Sequence, residues 1–225
     1  MTYPNAYSGV KKVFTAQILI LVGAILAFIV AVAGAMATTD GTPSEVAGGA
    51  AMGAAIGAGA LASVTAILMF IAFIINLVGL HQAGKDEHYF RTAFNLTIAG
   101  IAVAVIQGIV NAAVSETAAS GVQIVSDLLR ILVMIYVIYG IIEIAKAIGD
   151  EKLQKKGRTL LTFITVLMII SIVIRLVADI AGDHMADPAL VAMGAIGIVS
   201  ALIVVISYIL YLSLLSRAVK VFKNN

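Results

Sequence analysis

The chain has 225 residues, 62% of them hydrophobic and 12% charged, with a mean hydropathy of +1.11 and a formal net charge of +2. Soluble domains run at roughly 45–50% apolar and about 25% charged, so this composition excludes a water-soluble globular fold and requires lipid as solvent. The small, scattered charge excludes an electrostatic nucleic-acid footprint, and the absence of cysteine excludes disulfides, thiolate metal sites and cysteine nucleophiles.

A helix needs about 20 apolar residues to cross the hydrocarbon core, and six runs qualify. The first covers residues 13–37. Lys11 and Lys12 before it, and Ala35-Met36-Ala37 near its end, imitate a signal peptide with its cleavage site. Signal-peptide cores span only about 7–15 residues, so this longer run is expected to stay as a helix. The second covers residues 58–80 and follows Gly49, Gly53 and Gly57, a small-residue seam at spacing four that continues through Gly59 to Ala62. Small residues at this spacing let two helix backbones approach closely. The ordinary reading is packing of the second helix against its own neighbours, or an outer extension that is not regular helix, because residues 46–80 exceed one untilted span; the functional reading is a seam between copies of the chain.

The third run, residues 93–115, carries Gln107 and Asn111 on the face of Gly100 and Ala104. The fourth, residues 123–148, carries Asp127 and Arg130, and the fifth, residues 159–180, carries Arg175 and Asp179. The sixth, residues 190–216, aligns Ser200, Ser207 and Tyr211 with Gly197 in a stripe expected to face the bundle. Tyr136 falls near mid-membrane, where its hydroxyl requires a partner.

The connectors differ sharply in charge. The first, third and fifth carry Asp40, Glu45, Glu116, Asp183 and Asp187 and no Lys or Arg. The N-terminus, the second and fourth connectors and the C-terminus hold Lys11, Lys12, Lys85, Arg91, Lys152, Lys155, Lys156, Arg158, Lys220 and Lys223, with Lys146 and Arg217 at adjoining helix ends. Lys and Arg are retained on the cytoplasmic side, so every segment gives one orientation. The expected fold is an all-α, polytopic membrane helical bundle of six transmembrane helices, both termini cytoplasmic, in a cell membrane of the bacterial inner (plasma) type. It forms a single transmembrane domain over residues 1–225.

The chain also reads as three repeated helical hairpins, approximately residues 11–84, 85–151 and 152–225. Phe14-Thr15-Ala16, Arg91-Thr92-Ala93 and Arg158-Thr159-Leu160 open the odd helices, with Gly23 and Gly100 eight residues after the first two threonines. The stretches 79–87 and 143–151 share an apolar residue, an alanine and a closing Asp-Glu at equal offsets. An inverted repeat is excluded, because each hairpin enters and leaves on the same side. Three such hairpins match mitochondrial carriers in topology, but the Pro-x-Asp/Glu-x-x-Arg signature is absent; the prolines are Pro4, Pro43 and Pro188.

Asp127 and Arg130 are three apart, and Arg175 and Asp179 four apart, so each pair shares a helix face. If the fourth and fifth helices run side by side, the four form a charge cluster that Gln107 and Asn111 continue. Ionisable residues within a span point to function, here an outward-open polar pocket for a small solute or ion. The competing reading is structural: Arg130 and Arg175 lie about one turn below the interface, where long side chains reach water, and paired charges fix hairpin to hairpin.

His81, His88 and His184 stand alone, without the four-residue spacing of a metal pair, so no metal or other cofactor is expected. Lys152, Lys155, Lys156 and Arg158 offer anionic head groups roughly 1 kcal/mol per charge, but Asp150 and Glu151 dilute the run, so an orientation signal is the simpler account. No phosphate-binding glycine loop, His-Glu-x-x-His or Gly-x-Ser-x-Gly is present. The expectation is therefore no enzyme and no nucleic-acid partner. The leading reading is a non-enzymatic helix-packing protein, a homo-oligomer or accessory subunit of a membrane assembly embedded in the bilayer. The alternative is a small-solute or ion transporter or channel using the outer cluster.

Overall fold

The computed structural model describes residues 3–39, 45–113, 116–181 and 187–224, with the side chains of residues 3–32, 59–107, 125–126, 128–167, 170 and 205–224. Among the described residues the chain is all-helical: α1 (Pro4–Thr39), α2 (Glu45–Ala83), α3 (His88–Ala113), α4 (Glu116–Ala147), α5 (Glu151–Ala181) and α6 (Asp187–Asn224). Each begins before the apolar run that marks it, because hydropathy records only the part suited to hydrocarbon, whereas polar turns and caps extend the helix beyond. The clearest case is α2. Its 39 residues form one continuous helix, about 58 Å long at 1.5 Å per residue, so the stretch before residue 58 is regular helix.

Five helices are long and apolar enough to cross a membrane, over Pro4–Val32, Gly59–Ala83, His88–Gln107, Leu128–Ala147 and Val205–Asn224. The fifth expected span, residues 159–180, lies in α5, and most of its side chains lie outside the described residues. Apolar side chains cover the helices on all sides, with Phe28 69% and Phe70 65% exposed. That pattern suits helices surrounded by lipid. Threonine hydroxyls are satisfied without a neighbouring helix: Thr65 donates to the Leu61 carbonyl at 2.8 Å, Thr97 to Ala93 at 2.8 Å and Thr165 to Leu161 at 2.9 Å. Lipid supplies no partner, so a polar group must find one in protein.

The chain divides into two compact units, Met1–Val10 with Leu80–Asn225, and Lys11–Gly79. In the second unit, α1 meets α2 at Gly23, where an added Cβ would lie 3.0 Å from Met69 Cε. In the first, α3 packs on α4, α4 on α5 and α5 on α6. Lipid gives helices no hydrophobic reason to associate, so close fit must hold them. Two glycines provide it. The Phe90 ring, fully buried, lies 2.7–2.9 Å from where a Gly140 Cβ would stand, and Ile142 Cγ1 lies 2.6 Å from the same point on Gly157.

These contacts gather the basic segments at one end of the first unit. Asp86, in the α2–α3 turn, accepts hydrogen bonds from Asn5 Nδ2 at 2.8 Å and Ala6 N at 2.7 Å, at the start of α1. Phe90 joins the start of α3 to the end of α4, and Gly157 joins the end of α4 to the start of α5. Lys156 then reaches α6, donating to Ser213 Oγ at 2.7 Å. Leu80, Ile138, Ile141, Leu153, Leu214 and Leu215 are fully buried at the same end.

Candidate functional site

The two turns at the basic end, α2–α3 and α4–α5, are built differently from similar sequence. At residues 148–150, Gly149 takes φ +75°, a conformation that costs an L side chain about 1–2 kcal/mol. This closes α4 with a Schellman pair, Asp150 N to the Ala145 carbonyl at 2.9 Å and Gly149 N to Lys146 at 3.2 Å. Asp150 then opens α5, its Oδ1 accepting from Leu153 N at 2.7 Å as an N-cap. At residues 84–87 no residue has positive φ. Gly84 is needed there for space, since an added Cβ would stand 3.0 Å from both Arg91 Cα and Arg91 N. Glu87 pairs with His88 Nδ1 at 2.7 Å, which leaves Asp86 to hold the start of α1.

The expected outer cluster is distributed over three neighbouring helices of the first unit. Gln107 and Asn111 lie on α3, Asp127 and Arg130 on α4, and Arg175 and Asp179 on α5, and α4 packs against both of the others. Gln107 is half-buried and engaged in a contact, and Arg130 is exposed. The side chains of Asn111, Asp127, Arg175 and Asp179 lie outside the described residues, as do those of Gly49, Gly53 and Gly57 on α2. Gly100, on the same face as Gln107, has no atom of the described residues within 4 Å of an added Cβ, unlike Gly23. Tyr136 lies beside Tyr89 at the start of α3, with ring centroids 6.3 Å apart, and Tyr139 stacks on Tyr89 at 5.5 Å. Tyr211 is buried on α6.

Between α5 and α6, at the basic end, lies a groove of about 470 Å³. Lys152, Lys155, Lys156 and Arg217 line it together with Leu160, Phe163 and Leu210. Burial, and then the charge of Arg217, lower the Lys156 pKa below its ordinary value. Thr159, also on the wall, donates its hydroxyl to the Lys155 carbonyl at 3.0 Å. The α5 half of this groove was open to sequence reading, since positions 152, 155, 156, 159, 160 and 163 share one helix face. The α6 half requires the register between helices: Arg217 completes the set, and Arg158 falls outside it. Among the described residues no group of three or more His, Asp or Glu is placed to hold a metal ion. No family model, no curated protein and no solved structure matches this chain.

Proposed function

We propose that this chain is a non-enzymatic integral membrane protein that acts by helix packing, as a homo-oligomer or as the accessory subunit of a membrane assembly. The observation that carries this reading is the open face of α2 directly after its small-residue seam. Gly59, Ala60 and Ala62 are exposed, as are Leu61, Ser63 and Val64 around them, and among the described residues nothing lies within 4 Å of where a Gly59 side chain would begin. A small-residue surface left exposed among the described residues gives a second helix the close approach that drives association in lipid. The gathering of basic turns and termini at one end supports an orientation with both termini cytoplasmic, in a membrane of the bacterial inner type.

Native-size analysis in lipid nanodiscs tests the reading. The expected result is an assembly larger than the 23.3 kDa chain, which Gly53→Leu and Gly57→Leu dissociate while leaving each helix intact. A monomer with no co-purifying partner overturns it. Loss of solute or ion flux in a well-folded Arg130→Gln variant would put transport through the outer cluster of Gln107, Asn111, Asp127, Arg130, Arg175 and Asp179 in its place.

A further inference from the structure

We infer that the groove between α5 and α6 is a binding site for one anionic phospholipid of the inner leaflet, its phosphate among Lys152, Lys156 and Arg217 and an acyl chain along Leu160, Phe163 and Leu210. The charges and the apolar wall are ordered along the groove. The hydrogen bond from Lys156 to Ser213 fixes the level at which α5 meets α6. One turn toward the basic end, α5 presents Lys152 and α6 presents Arg217; one turn the other way, α5 presents Leu160 and α6 presents Leu210. From Lys152 to Phe163 the groove follows eleven residues of helix, about 16 Å at 1.5 Å per residue. It therefore passes from head-group depth into hydrocarbon, in the order in which a phospholipid passes from phosphate to chain.

The cations need a counter-charge. Among the described residues no carboxylate pairs with Lys152, Lys155, Lys156 or Arg217. The nearest acidic residues in sequence are Asp150, which caps α5, and Glu151, which is exposed and is not part of the groove lining. Like charges held together, with Lys156 partly withdrawn from water, repel one another until an anion enters, and a phosphate accepts from several donors at once. The apolar half decides between a lipid and a free anion. Phe163 and Leu210 are 37% and 39% exposed along the wall, and Leu160 4%; a free phosphate would leave that surface unused.

The site does not depend on helix association. A monomer that binds anionic lipid would overturn the packing function and leave this inference standing.

The experiment is native mass spectrometry of the whole chain in mild detergent, titrated with phosphatidylglycerol or with phosphatidylcholine of the same acyl chains. One phosphatidylglycerol is expected to be retained, at least about tenfold more tightly than phosphatidylcholine. Lys156→Gln with Arg217→Gln abolishes that preference. Lys152→Gln with Lys155→Gln, the other two cations of the lining, weakens it and provides an independent second pair. Lys146→Gln, at the same end but outside the groove and paired with Glu143 at 3.6 Å, leaves it unchanged. Equal retention of the two lipids overturns the inference. So does an equal loss in the Lys146 variant, which would mean general surface charge, or displacement of the lipid by excess inorganic phosphate, which would mean an anion site without a lipid.

Discussion

The turn at residues 84–87 and the turn at residues 148–150 lie at the same end of one compact unit, and both contain a glycine and an aspartate. The second is self-contained. Gly149 reverses the chain through its backbone conformation, and Asp150 finishes α4 and starts α5. The first works at a distance. Gly84 makes room for the backbone of Arg91, and Asp86 reaches across 80 residues of sequence to the first turn of α1. The aspartates stand at equal offsets and the glycines one position apart, yet they serve one local turn and one tertiary clasp, and substitution separates the two roles.

The largest effect is expected at Gly84. Gly84→Leu forces a side chain into backbone atoms that cannot rotate away, and should cost about 3 kcal/mol, seen as a lower thermal unfolding midpoint in detergent. Tolerance of leucine there would dissolve the contrast. Asp86→Ala should follow at about 2 kcal/mol, since it removes two hydrogen bonds to a carboxylate. Hydrogen exchange should report that loss over residues 5–10 of α1, not only in the turn itself. Asp150→Ala should cost about 1 kcal/mol, the usual worth of an N-cap, with faster exchange confined to the first turn of α5. Serine sharpens the pair: Asp150→Ser should restore the cap, whereas Asp86→Ser is too short to span to Asn5 and Ala6. The smallest effect belongs to Gly149→Asn, a few tenths of a kcal/mol, because asparagine tolerates the left-handed region and the site has open space around it. A large loss there, measured by the same thermal unfolding, would show that space and not φ governs this turn.

The helices were legible because apolar runs are the dominant signal in lipid-solvated sequence. Their ends were not, because Pro4 at the start of α1 and Glu45 at the start of α2 lie in segments whose hydropathy says nothing about backbone hydrogen bonding. The comparison of repeats pairs Asp86 with Asp150 and Gly23 with Gly100 in sequence. It did not reveal their roles, which depend on what each residue meets: Asn5 for one aspartate and its own helix for the other, Met69 for one glycine and open space for the other. The basic stretch 152–158 was legible as charge. Its organisation into a groove was not, since that requires knowing that Ser213, and hence Arg217, stands opposite Lys156. Of the six residues read as a polar cluster, only Gln107, half-buried on α3, and Arg130, exposed on α4, have described side chains, on helices that pack against each other.

The threonines that bond back to their own helices bear on how this sequence can change over time. Thr97 and Thr165 return their hydroxyls to carbonyls one turn earlier, so neither asks anything of a neighbouring helix. Valine has the same outline and removes donor and acceptor together, leaving no unsatisfied hydroxyl. Exchange between threonine and valine at these two positions is therefore expected to be nearly free among descendants of this chain, whereas Gly84, Gly140 and Gly157, each pressed against a neighbour, should hardly drift at all.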